Sequence, residues 1–139
     1  MDNPFLMPFQ MVAFYAVLNA LLMLILGMLV VRARVKTRTE IGDGGNPDMV
    51  GPLRAHANNT EYVPMAIVLL LVMYSLGSNV IVIHAVGATL TLGRLLHAFG
   101  LSRNVGTSAP RFLGMILTWL AYIIAILVIL WLTFAPATS

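Results

Sequence analysis

The sequence predicts an all-α membrane protein, a four-transmembrane-helix antiparallel bundle, and three observations carry that prediction. The 139 residues are 60% hydrophobic and only 9% charged, with a mean hydropathy of +0.93. A soluble domain carries about 25% charged residues, so this chain cannot cover a globule with polar surface. Second, four apolar runs each reach the roughly 20 helical residues that span a hydrocarbon core of about 30 Å. Third, the basic residues gather between particular runs and avoid the others.

The four runs are residues 10–33, 54–76, 80–101 and 111–134, in one domain covering residues 1–139. None alternates in polarity as a membrane barrel strand does. The first run has no basic segment ahead of it and is too long for a signal-peptide core, so it reads as a retained first helix. The breaks are 39–52 (TEIGDGGNPDMVGP), the tight GSN at 77–79, and SRNVGTSAP at 102–110, whose Gly, Pro and Asn suit turns.

The net charge of +3 would hint at nucleic acid in a soluble protein. Here the cations flank apolar runs, which is the pattern of membrane loops and excludes a nucleic-acid interface. Arg32, Arg34, Lys36, Arg38 and Arg54 surround the first connection, and Arg103 and Arg111 the third. The middle connection has no Lys or Arg, and neither terminus does. The positive-inside rule therefore expects both basic loops in the cytoplasm and both termini on the other side. There is no cysteine, hence no thiol nucleophile or zinc–thiolate site of the protein's own.

That orientation collects the ionisable side chains in one leaflet, with His84 near the other. At about 100° per residue, Arg54, Asn58 and Glu61 fall within roughly 60° of arc on the second helix, bordered by Tyr62. A charge within a span costs on the order of 2.5–3.5 kcal/mol at the centre. The stripe is therefore expected to face the bundle interior and to pair. Arg54, Arg94 and Arg111 are available to Glu61, and this excess of cations points to an anionic ligand as well as to a simple ion-pair lock. Arg94 and His97 lie one turn apart in LGRLLHAFG. No metal is expected, because one carboxylate and one histidine make a poor ligand set and His56 points away from the stripe. Asn19 suits an interhelical hydrogen bond, Trp119 packing, and Trp131 an interfacial anchor. Pro64 is expected to bend its helix, and Ala85, Thr89 and Gly93 to let a neighbour approach closely. GDGGNP lacks the GK[ST] of a phosphate loop.

RAHANNTEYVP, then GRLLH, then APR, in that order, resemble the MAPEG family, the membrane-associated proteins in eicosanoid and glutathione metabolism. The resemblance covers nearly the whole chain and is closest to the microsomal glutathione transferases. It implies a homotrimer with glutathione as cosubstrate, bound between subunits near the cytoplasmic face. It also implies glutathione-contacting roles for Arg54, Asn58, Glu61 and Tyr62, a basic contact at Arg32, and a ligand position at His97. Arg94, one turn before His97, joins the binding set. Arg111 matches the arginine credited with stabilising the thiolate, with Arg103 as the alternative if the loop register slips. Leu101 departs from the pattern, standing where several members have a second tyrosine.

The chemistry of glutathione asks for these residue types. Guanidinium groups pair with its two carboxylates, Glu61 with its ammonium, and a cation beside the sulfur favours the nucleophilic thiolate. The reading is a membrane-bound glutathione transferase or peroxidase acting on a lipophilic electrophile that enters from the bilayer. Two others compete with it: a non-catalytic lipid-binding or scaffold protein, and a small ion or proton conduit through Glu61, Arg94 and His97. The conduit is disfavoured because its ionisable groups share one leaflet.

Overall fold

The computed structural model describes residues 6–103 and 105–135, the side chain of Leu6 apart, and every regular element within them is helical. The order is α1 (Leu6–Thr37), α2 (Pro47–Ser75), α3 (Val80–Arg103) and α4 (Ala109–Phe134). Residues 1–5 and 136–139, on which the expected placement of the termini rests, lie outside the described residues, as does Asn104 in the third connection.

Each helix outruns its apolar stretch, because backbone pairing continues into the water layer after the lipid ends. The largest difference is at α2. The sequence places a break over residues 39–52, yet the helix starts at Pro47. Asn46 is the N-cap, its side chain accepting from the Asp48 amide at 3.0 Å, and Pro47 takes the first turn, where a missing N–H costs nothing. The helix runs on through Pro52 and Pro64 without interruption. At its other end Gly77 adopts φ +76°, and the Ser78 amide donates to Met73 O at 2.9 Å, closing the helix with a left-handed residue. Asn79 then caps the next helix, accepting from the Ile81 amide at 2.8 Å.

Helices α2 and α3 form the central pair, each touching both α1 and α4, while α1 and α4 do not meet among the described residues. Three helices have the length and apolarity to cross a membrane: Met7–Thr37, Val80–Arg103 and Ala109–Phe134. The second run differs from its expected class here, because the polar first half of α2 keeps it below that test. Val17, Leu21, Leu24, Met28, Val31 and Val35 form one exposed apolar stripe along α1, and Leu113, Ile116, Leu120, Ile123 and Leu127 one along α4. Large apolar side chains outside and small residues between helices are the arrangement lipid selects.

The small-residue contact is only partly where the sequence places it: of the three residues expected to make it, Gly93 does. Ala85 is exposed and Thr89 only half-buried. The close approach is α3 on α4, through Gly93, Gly100 and Gly114. A Cβ on Gly93 would lie 2.9 Å from Gly114 O and from the Thr118 amide, and one on Gly100 would lie 2.6 Å from the Arg111 amide. A Cβ on Gly114 would fall on the His97 backbone amide. These neighbours are backbone and cannot turn aside. Gly114→Ala is therefore expected to cost at least the ~1–3 kcal/mol of ordinary overpacking. Gly27→Ala is the control, since its Cβ would meet only the tip of His56, at 3.6 Å. Thermal melts in one detergent would show the first variant markedly lowered and the second unchanged.

Asn19 makes the expected interhelical bond, its Nδ2 donating to Thr91 Oγ1 at 2.8 Å. Towards the end remote from the basic loops, Tyr15 pairs with His84 Nδ1 at 2.8 Å.

Candidate functional site

The ends of α1 and α3 and the starts of α2 and α4 meet at one pole of the bundle. Lys36 bridges to Asp48 at 3.0 Å there, and Gly51 packs on the carbonyl of Leu101. The buried stripe of α2 is Ala55, Asn59, Val63, Ala66, Leu70 and Met73. This corrects the orientation expected from the sequence. The stripe of Arg54, Asn58 and Glu61 is rotated by about 100°, one residue's step, from the interior. Arg54 and Glu61 are exposed on the single chain and Asn58 is half-buried.

A groove of about 630 Å³ opens between α2, α3 and α4 at this pole. Arg54 and Asn58 contribute one wall, His97 and Leu101 the floor, and Arg111, Phe112, Met115 and Trp119 the α4 side. Arg111 is held across the third connection, its Nη1 donating to Val105 O at 2.8 Å and Gly106 O at 3.1 Å. His97 Nδ1 lies 3.2 Å from Arg111 O, which only a protonated Nδ1 can satisfy as a hydrogen bond. The Nε2 of His97 and the Oγ of Ser108, another wall residue, are enclosed without a hydrogen-bond partner among the described residues. Trp119, read from the sequence as packing, is 49% exposed and lines the groove.

Arg94 does not line this groove. It is 0% exposed, and no carboxylate among the described residues pairs with it. Its Nη2 donates to Asn58 Oδ1 at 2.7 Å. Longer bonds of 3.4 Å run from Nε to Asn59 Oδ1 and from Nη1 to Thr118 Oγ1. The guanidinium also sits 5.4 Å from the centre of the Tyr62 ring. A buried cation so held is tolerated because each guanidinium nitrogen faces an oxygen, with the Tyr62 π-cloud beside them. Sequence reasoning missed Asn59 and Thr118. Asn59 left a signal, since it is the one polar member of an otherwise apolar stripe at helical spacing.

The remaining candidates fall at different distances from the groove. Glu61 stands at its edge, accepting from Asn58 Nδ2 at 3.4 Å, and makes no ion pair among the described residues. Tyr62 turns inward against Tyr122, whose hydroxyl donates to Tyr62 O at 2.5 Å. Arg103 closes α3 instead of sitting in the loop and stacks over Phe99 at 4.1 Å, outside the groove lining. Arg32 is exposed on α1, which does not reach α4. Its neighbour Val31 lines a second, apolar groove of about 750 Å³ between α1 and α2, where His56 is the polar residue.

The groove sets guanidinium donors and an amide beside an apolar wall, at the pole of a lipid-facing bundle. Comparison with known proteins agrees with a membrane setting. The chain is 40% identical over 119 residues to the inner membrane protein YecN of Escherichia coli K12, covering 86% of this chain and 89% of that one. The protein of the same name from Escherichia coli O6:H1 matches to the same extent. The model of the MAPEG family matches residues 12–131. On both the fold and this match, the chain is an integral membrane protein that belongs to the MAPEG family.

Proposed function

We propose that this protein is a glutathione-dependent membrane enzyme, transferring glutathione to a lipophilic electrophile or reducing one. The observation that carries the reading is the single groove in which Arg54, Asn58, His97 and Arg111 face Leu101, Phe112, Met115 and Trp119. Its volume of about 630 Å³ lies within the range of small-molecule sites, roughly 300–1,000 Å³. The donor set fits glutathione. Arg54 and Asn58 Nδ2 offer hydrogen bonds to a carboxylate, Glu61 meets the ammonium, and Arg111 lies where its charge can favour thiolate over thiol. In transfer the thiolate forms the bond to the electrophile, and the displaced group or opened oxygen takes up a proton. In reduction of a hydroperoxide it takes the outer oxygen, releasing the alcohol, and a second glutathione then forms the disulfide and frees water.

The same reading makes the protein a homotrimer with its basic pole in the cytoplasm. On one chain Arg54 and Glu61 are exposed and the groove between α2 and α4 is open along its outer side. Arg32 and the α1–α2 groove lie on the other side of α2, where a rotated neighbour would bring them to the open side. The test is glutathione titration of detergent-purified protein, followed by calorimetry and the ultraviolet thiolate band, with native mass spectrometry of the same sample. A trimer that binds glutathione and develops the band is expected. No binding at millimolar glutathione would return the chain to the non-catalytic lipid-binding or scaffold reading, and a monomer binding stoichiometrically would remove the shared site.

A further inference from the structure

Arg94 is the one cation fully enclosed by the bundle, and it does not reach the groove. A guanidinium carries donors only. Its 2.7 Å bond to Asn58 therefore admits one orientation of that amide, with Oδ1 inward and Nδ2 outward. The outward Nδ2 has only a long contact of 3.4 Å, to the exposed Glu61. Asn59 is bound the same way through its oxygen, which leaves Asn59 Nδ2 buried and without a partner among the described residues. The cost of that orphaned donor argues that the guanidinium, not the amides, sets the arrangement.

We infer that Arg94 is a positioning residue that locks the Asn58 amide, so that the groove presents a hydrogen-bond donor there and reads an acceptor on its ligand, a carboxylate or amide oxygen. The inference rests on the glutathione reading only for the identity of that ligand. Asn58 touches the ligand; Arg94 acts through it. The arrangement also explains why a charge is kept inside a span with no carboxylate in direct ion pairing among the described residues. An amide locked by a neutral partner could turn over, whereas one locked by a donor-only cation cannot.

Asn58→Asp is the discriminating variant. It keeps the acceptor that meets Arg94, replaces the outward donor with a second acceptor and gives Arg94 a carboxylate partner. The protein should melt at or above the wild-type temperature while glutathione affinity falls further than in Asn58→Ala, because an anionic acceptor then faces the ligand's acceptor. Arg94→Gln should weaken glutathione by about tenfold or more in the wild-type background but have little effect in Asn58→Ala, with Arg94→Lys partly restoring affinity. Wild-type affinity in Asn58→Asp would overturn the inference, and so would equal losses from Arg94→Gln in both backgrounds. If Arg94→Gln does not fold, Arg94→Met carries the same cycle. If the wild type binds no glutathione, the glutathione reading fails by itself. The lock is then judged by the side-chain amide signals of ¹⁵N-asparagine protein, with the Asn58 pair assigned through its loss in Asn58→Asp. A rigid, slowly exchanging pair that becomes mobile in Arg94→Gln or Arg94→Met supports the lock, and a pair already mobile in the wild type overturns it.

Discussion

Arg54→Ala and Glu61→Gln are each expected to weaken glutathione binding by roughly thirtyfold to several thousandfold, the range for removing one partner of a desolvated charge pair (about 2–5 kcal/mol). Both should leave thermal stability almost untouched. Each side chain is exposed on the single chain, and neither makes an ion pair within it among the described residues. Exposed substitutions of this kind usually stay within about ±0.5 kcal/mol of stability. Residues that contribute nothing to the fold yet govern binding are kept for a ligand. The measurement is calorimetric titration of both variants, alongside thermal melts in the same detergent. Wild-type affinity in both would mean that the charged edge of α2 does not face glutathione, and the groove would lose its ammonium and carboxylate partners together.

The four helices were legible because lipid imposes one rule along the whole chain. The ends of α3 and α4 lie within two residues of the apolar runs at 80–101 and 111–134. The start of α2 was not legible to the same degree. Residues 47–52 hold two prolines and a glycine, and composition alone reads them as a turn. What decides the matter is local: the Asn46 cap, with Pro47 in the one turn that tolerates it. The polar stripe of α2 was legible from spacing, but its direction was misjudged. Spacing groups Arg54, Asn58 and Glu61 without saying which arc of the helix faces its neighbours. Ala55 and Asn59, one residue later in each case, take the interior in line with Val63, Ala66 and Leu70, the face of α2 that carries its apolar residues. Trp119 was misjudged for a related reason. Packing inside this bundle is built on Gly93, Gly100 and Gly114, and a crossing that close excludes large rings. The role of Arg94 lay beyond pattern reading altogether, since it depends on which atom of Asn58 the guanidinium meets.

Arg111→Ala is expected to keep much of the glutathione affinity while raising the pKa of the bound thiol by about one to three units, the usual effect of one cation at close range. Less thiolate would exist at neutral pH, and turnover would fall with it. Placement separates this arginine from its rival in sequence. Arg111 lines the groove, and its Nη1 is fixed by two carbonyls of the loop, which aims the guanidinium and limits its motion. Arg103 lies at the end of α3, stacked on Phe99 and outside the lining. Arg103→Ala should therefore leave the titration as it is in the wild type. Arg111→Lys keeps the charge but not a planar fork of donors that can hold the loop and face the ligand together, so it should fall between wild type and Arg111→Ala. The assay follows thiolate absorbance against pH with saturating glutathione in all four proteins. A shift in Arg103→Ala with none in Arg111→Ala would move the sulfur to the other arginine and out of this groove. No shift in any variant would leave the thiol to ionise unaided, and the proposed activation by a guanidinium would be wrong.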